Sequence, residues 1–393
     1  MLEFLAFANA TAIGKPLIQY YNNSYMVETL EASKKVQIVL SGSHLFVLTA
    51  NKQLYACGSN KRGQLGLEGI VQCSSLQLVP TPASIASVVV GCEHTFLLTD
   101  EGQLYACGAN KYGQLGLGTR EDRSSFQLVP IPGKVRYVAA GSDHTFAVTC
   151  DGELYACGRN TYGQLGLNCI THRLTFTRVN LPVAVLSIAI GDGNTFVLTT
   201  TGELYACGDE TSDQLGFGHV EYIYHQYEVD HSNFRLVPTP APVASVTAGR
   251  NHTLILTCDG RLYGCGSNVS GQLGLIAEMD YSSFTLIPTS DPVLSVVAGS
   301  SHTIILTATG QLYGCGYNNS GQLELRSIYS RASTIAPVYP PTPAISIASC
   351  DEETIILTVT GQLYACGANA DGQLGVGHKN KCHVFTPVAG VLV

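Results

Sequence analysis

The stretch GSDHTFAVTCDGELYACGRNTYGQLGL, residues 141 to 167, returns seven times along this chain with small edits. Its Leu-Tyr pair falls at Leu54, Leu104, Leu154, Leu204, Leu262, Leu312 and Leu363, so successive copies lie 50, 50, 50, 58, 50 and 51 residues apart. A fixed period of this length marks a repeat architecture in which no unit buries its apolar face alone and stacked neighbours share one core. The repeat therefore overrides the two or three domains that 393 residues would otherwise suggest.

Within one unit, FQLVP (Phe126 to Pro130), VRYVAAG (Val135 to Gly141), HTFAVT (His144 to Thr149) and ELYACG (Glu153 to Gly158) are short, rich in β-branched or aromatic residues and bounded by Gly, Pro or Asp. Such runs read as strands. Asp151-Gly152 and Asp259-Gly260 are hairpin signals, and Gly102, Gly202, Gly310 and Gly361 hold the same place; Asn51-Lys52 is the exception, a turn that is strained or of another type. Four strands in each of seven units predict an all-β, seven-bladed β-propeller of four-stranded antiparallel blades, a closed form that leaves only short protected edges. Closure is expected to use terminal strands, with Phe385 to Val388 and Met26 to Leu30 competing for equivalent places. Residues 1 to 34 form a distinct segment contributing to closure, in which Phe4 to Gly14 resembles a faded repeat; residues 35 to 393 form one domain. Because the strands meander, the GSDH turn and the RNTYGQLG loop fall on one face of the ring and the Asp-Gly hairpin on the other.

Composition narrows the function. Charged residues make up 13% of the chain and the net charge is −8, which argues against a protein that grips nucleic acid through its bulk surface. No apolar run is long enough to span a bilayer, so no membrane insertion is expected. The apolar start carries Glu3 and no basic n-region, unlike a secretory signal. Fourteen cysteines include seven at one repeat position, from Cys57 to Cys366. Equivalent strands hold equivalent side chains apart, so these read as unpaired packing residues, and the thiol load favours a reducing compartment. There is no phosphate loop, nucleophile elbow or His-Glu-x-x-His motif, so no bond-making chemistry, no catalytic residue and no cofactor are expected. His219, His225 and His231 are spaced by six, which fits no zinc pattern, and no metal site is expected.

The pattern Gly-x-x-His-Thr, Gly-x-Leu-Tyr, Cys-Gly-x-Asn-x-x-Gly-Gln-Leu-Gly, recurring seven times over residues 35 to 393, resembles the repeat of the regulator of chromosome condensation family. That resemblance implies a seven-bladed propeller. The founding member is a guanine-nucleotide exchange factor for the small GTPase Ran; others are binding platforms, substrate modules of ubiquitin ligases, an ultraviolet photoreceptor and a β-lactamase inhibitor. The photoreceptor uses tryptophan as chromophore, and this chain has none. The inhibitor-like members are extracellular with shorter repeats, against which the thiol load speaks. Chromatin binding relies on a basic tail, whereas the first 34 residues hold Lys15 and Lys34 against Glu3, Glu28 and Glu31.

The turn histidines His44, His94, His144, His252 and His302 have a structural reading, in which each caps a neighbouring carbonyl, and a functional one, a ring of imidazoles on one face. In the exchange factor some histidines at this position and acidic neighbours contribute to the GTPase-binding face. Carried over, the best matches are His94 with Glu93 and His144 with Asp143, followed by His44, His252 and His302. Unit four has Asn194 and unit seven Glu353 in the histidine's place. Unit four also reads Asp209-Glu210-Thr211-Ser212-Asp213 where the others read Asn-x-x-Gly, and it inserts eight residues in the span 218–233, bearing Tyr222, Tyr224 and Tyr227. Exposed tyrosines are common interface anchors. The implied function is a protein-binding propeller regulating a Ran-type small GTPase by nucleotide exchange, with the unit-four loop as a wedge; the alternative is a passive interaction scaffold or substrate-recruiting module. A monomer in the cytoplasm is expected, or in the host cytosol were the chain a secreted bacterial effector, which the close similarity of the units would fit.

Overall fold

The computed structural model describes residues 37–218, 231–325 and 330–389. Among the described residues, twenty-eight strands run from β1 (Gln37–Leu40) to β28 (Cys382–Pro387) and form seven four-stranded antiparallel sheets, each a contiguous piece of chain. The first strands of the blades, β1, β5 (Ile85–Val90), β9 (Val135–Ala140), β13 (Val185–Ile190), β17 (Val243–Ala248), β21 (Val293–Ala298) and β25 (Ala344–Cys350), neighbour one another in turn, and β25 meets β1. The ring is closed: this is a seven-bladed β-propeller. The last strand, β28, completes the seventh blade by pairing with β27 (Leu363–Gly367). The expected contribution of residues 1–34 to closure, including Met26 to Leu30, lies outside the described residues.

The phase of the blades differs from the phase of the sequence units. The sequence units place Phe126 to Pro130 with the strands that follow it, yet β8 (Arg123–Leu128) pairs with β7 (Leu104–Gly108) of the preceding copy. The third blade therefore runs β9, β10 (His144–Thr149), β11 (Leu154–Gly158) and β12 (Arg173–Val179). Periodicity fixes the repeat length, but only the pairing of the outer strand across the long loop fixes where a blade ends.

The core lies between blades. Val39, Phe46 and Leu65 of the first blade share a cluster with Ile85, Val88 and Leu97 of the second, and the other blade pairs repeat this arrangement. Sheets packed on both faces leave no exposed side for the middle strands, so all six residues of β10 are buried and strict alternation disappears. All fourteen cysteines are unpaired thiols, and the seven repeat cysteines are buried. At Asn51-Lys52 the hairpin keeps the geometry of its equivalents, with Lys52 N–H bonded to the Thr49 carbonyl at 2.9 Å and Lys52 at φ 62° where glycine stands elsewhere.

Candidate protein-binding face

The Gly-x-x-His turns and the long loops after the third strands share one face, as the meander requires. In the third blade the Arg159 N–H bonds the Asp143 carbonyl at 2.8 Å, tying loop to turn.

The histidines at these turns are interior struts. His44, His94, His144, His252 and His302 are fully buried. Each points its Nε2 at the Oγ1 of a threonine in the next blade: Thr95 at 3.1 Å, Thr145 at 3.2 Å, Thr195 at 3.0 Å, Thr303 at 3.2 Å and Thr354 at 3.3 Å. Thr95, Thr145, Thr195 and Thr303 in turn donate to the glutamine carbonyl of a Gly-Gln-Leu-Gly loop one blade back, at 2.7–2.9 Å. Where its hydroxyl hydrogen is spent this way, the threonine accepts from the imidazole, which fixes a neutral Nε2–H ring. Burial holds the pKa of His44, His94, His144 and His302 down at about 3 and that of His252 at about 4. Three residues before His94, His144, His252 and His302 a glycine makes room: a Cβ on Gly91 would stand 2.1 Å from Cε1 of His94. The imidazoles of His94, His144, His252 and His302 thus have no surface to offer a partner. Glu353 is buried likewise, accepts from Gln373 Nε2 at 2.9 Å, and burial pushes its carboxyl well above the ordinary range.

The carboxylates beside two of these histidines do reach the surface. Glu93 is exposed and lies 3.7 Å from Arg62 Nε. Asp143 is half-buried, accepts from Gln114 Nε2 at 3.2 Å and faces Arg159 at 3.7 Å; burial raises its carboxyl, opposed by that guanidinium. Both line an open cleft with Arg62, Lys111, Tyr112 and Arg120. The Arg159 guanidinium lies 5.6 Å from the Tyr112 ring centre and 5.4 Å from that of Tyr162, whose side chain is 43% exposed. Lys111 Nζ also lies 5.1 Å from the Tyr112 ring centre. Residue-type matching to known motifs passes over this aromatic and cationic cluster. The available signal was that Tyr112 and Tyr162 precede glycine in loops whose face the strand order already sets.

Unit four uses its carboxylates locally. Glu210 stands where Asn160 and its equivalents stand, and its Oε2 accepts the Leu215 N–H at 2.5 Å, as Asn160 Oδ1 accepts the Leu165 N–H at 2.9 Å. Burial lifts the Glu210 carboxyl to about 8. Asp209 accepts from the Thr211 N–H at 3.1 Å, and Asp213 sits at φ 59° where Gly163 sits at φ 77° in blade three. Tyr222, Tyr224 and Tyr227 lie outside the described residues.

A third lining belongs to the axis. Where the seven turns converge, Ser142, Asp192, Arg250 and Asp351 border a cavity of about 220 Å³ at the mouth of the central channel, and Arg250 faces Asp192 at 3.7 Å.

These features meet in the comparisons with known proteins. No curated protein sequence matches this chain. Among solved structures it is similar to yeast RCC1 (Prp20) from a complex with Kap60, with a TM-score of 0.76 at 21% identity over 90% of this chain and 85% of that one. It is similar to Saccharomyces cerevisiae Prp20p, with 0.75 at 23% identity over 86% of each chain. It is similar to human WBSCR16, with 0.72 at 20% identity over 86% and 90%. At these identities the likeness shows the fold. The sequence pattern of the RCC1-like domain matches residues 10–221, just over half of the chain, and the regulator of chromosome condensation (RCC1) repeat matches residues 243–272, 293–322, 259–306 and 360–389. With seven blades and that pattern matched over more than half of its length, this chain belongs to the regulator of chromosome condensation (RCC1) family.

Proposed function

We propose that this propeller binds a protein across its turn-and-loop face and that the partner is a Ran-type small GTPase whose guanine nucleotide it releases. The observation that carries the binding half is the cluster of Tyr112, Arg159 and Tyr162 beside Asp143 and Glu93. Aromatic rings and arginines framed by charged groups are the composition of interface hot spots. The similar yeast protein Prp20p is described by its binding to Gsp1p and histones, which supports a protein partner. Exchange requires that the nucleotide-free GTPase be bound more tightly than the loaded one. We place it as a monomer in the cytoplasm, where reducing conditions fit the fourteen unpaired thiols.

Release of a fluorescent guanine nucleotide from Ran, with several other small GTPases alongside, tests this reading. Acceleration on Ran, weakened by Asp143→Ala and by Glu93→Ala, is the expected result; no acceleration on any of them overturns the exchange reading. A passive binding module is the second reading, favoured by the arginines that already engage both carboxylates. It predicts stable capture of a protein partner that Tyr112→Ala and Tyr162→Ala abolish, with nucleotide release unchanged.

A further inference from the structure

We propose that the cleft formed by the turns of blades five to seven is a receptor for a guanidinium, the head of an arginine side chain presented by another protein. The turns of the earlier blades supply the pattern. Glu93 lies 3.7 Å from Arg62, Asp143 lies 3.7 Å from Arg159 and Asp192 lies 3.7 Å from Arg250, so each turn carboxylate of blades two to four faces an arginine of the chain itself. In blade seven, Asp351 stands where Asp192 stands, Glu352 where Glu93 and Asp143 stand, and Glu353 in the histidine's place. Among the described residues, none of these three carboxylates is ion-paired.

All three line an open cleft of about 520 Å³, which shares Arg250 and Asp351 with the axial cavity. Arg250 does not fill it, because its guanidinium turns to Asp192. Asp351 is exposed, and its Oδ1 accepts from Ser300 Oγ at 2.8 Å. Glu352 is half-buried, and its Oε2 accepts from Ser320 Oγ at 2.6 Å. That hydroxyl receives Lys381 Nζ at 2.9 Å and so stands between the lysine and the carboxylate. Glu353 forms the floor: it is fully buried, its Oε1 accepts from Gln373 Nε2 and its Oε2 has no hydrogen-bond partner. Each carboxylate therefore keeps acceptor capacity that the chain leaves unfilled. Burial first and Asp351 second push the Glu353 carboxyl upward, and an entering cation offsets that repulsion.

The spread of the acceptors selects the cation. Among the described residues, no three His, Cys, Asp or Glu side chains converge closely enough to hold a metal ion. Carboxylates set along a cleft wall suit the planar fork of a guanidinium better than the point charge of an ammonium. Tyr317 also lines the cleft and offers a ring for the guanidinium to stack on, as Arg159 lies against Tyr112 and Tyr162 in the other cleft. The site is carried by other blades than that cluster, and it does not rest on the GTPase reading.

Titration of the full chain, carbon-13-labelled at its alanine methyl groups and followed by NMR, tests the assignment. Ala368 lines this cleft and Ala109 lines that of Tyr112, so the two methyl groups report on separate sites. The probes are acetylated, amidated glycine pentapeptides with arginine or lysine at the centre, and spermidine. The arginine peptide should shift Ala368 saturably and leave Ala109 in place, with the lysine peptide and spermidine binding at least about threefold more weakly. Glu352→Gln and Glu353→Gln should each weaken the arginine peptide about tenfold. The proposal is overturned if Ala368 shows no saturable shift, or if Ala109 moves with it. A lysine peptide that binds as tightly overturns the guanidinium, and spermidine binding as tightly overturns the protein side chain as its source. Unchanged affinity in Glu352→Gln overturns the site, and that half-buried position decides should Glu353→Gln fail to fold. No GTPase enters the titration, so failure of the exchange reading leaves this result standing.

Discussion

Blades three and four share a strand plan and differ at three positions of the repeat motif. In blade three, His144 reaches Thr195, Asn160 organises the long loop from inside and Gly163 supplies the left-handed turn. In blade four the same places hold Asn194, Glu210 and Asp213, and the same backbone forms. The motif residues are thus separable from the fold: each contributes to stability, and the ring tolerates their loss one blade at a time. What blade four gains is a set of acidic groups on the loop face. What it loses is an inter-blade bond and the amide donor that Asn160 directs at the Cys169 carbonyl at 2.7 Å.

The comparison can be broken by making blade three resemble blade four. His144→Asn should cost about 1–3 kcal/mol, since it removes the bond and strands a buried amide; chemical denaturation measures it, with an unchanged m-value expected. The converse exchange, Glu210→Asn, should stabilise by about 1 kcal/mol at pH 7, because it removes a buried carboxyl and restores a donor. That gain should shrink below pH 5, where the unfolded carboxyl is also protonated.

Acidity sharpens the same contrast. The five strut histidines have folded pKa values near 3 to 4 against an ordinary value of 6.5, so below pH 6.5 the unfolded chain takes up protons that the fold refuses. Stability from these groups is complete above pH 6.5 and is lost as pH falls towards 3, by up to about 1.4 kcal/mol per pH unit for each histidine. Glu210 and Glu353 act in the opposite sense, since their raised pKa values stabilise below 4.5 and that contribution is lost as pH rises. Five groups outweigh two between pH 5 and 6.5, and the melting temperature should rise across that window. The smallest effect is expected of Asp213→Gly, which relieves a left-handed aspartate and should raise stability by less than about 1 kcal/mol in thermal melts.

Seven copies, four strands apiece and a common face for turns and loops were legible because hairpin residues and strand-forming runs recur at fixed offsets. The phase of the blades was not, since a period is the same wherever one starts counting. The burial of His94 and His144 was hidden for a related reason. A strand covered on both faces has no polar side by which to recognise an exposed residue, and His-Thr-Phe reads alike in a core and at a rim. Glu93 and Asp143 came to light through their position one residue before the histidine, in the turn itself. The Tyr112 and Arg159 cluster depends on two neighbouring loops touching, which no single repeat records.

Histidine and threonine are adjacent in the chain, yet they serve opposite sides of their blade: one plugs into the next, the other is a socket for the one before. A single copied stretch therefore carries a complete joint, and any copy can follow any other without a new interface having to arise. The two ends of the ring show what happens when that pairing is no longer inherited together. Blade one keeps the plug, His44, and has lost the socket at Leu45; blade seven keeps the socket, Thr354, and has lost the plug at Glu353.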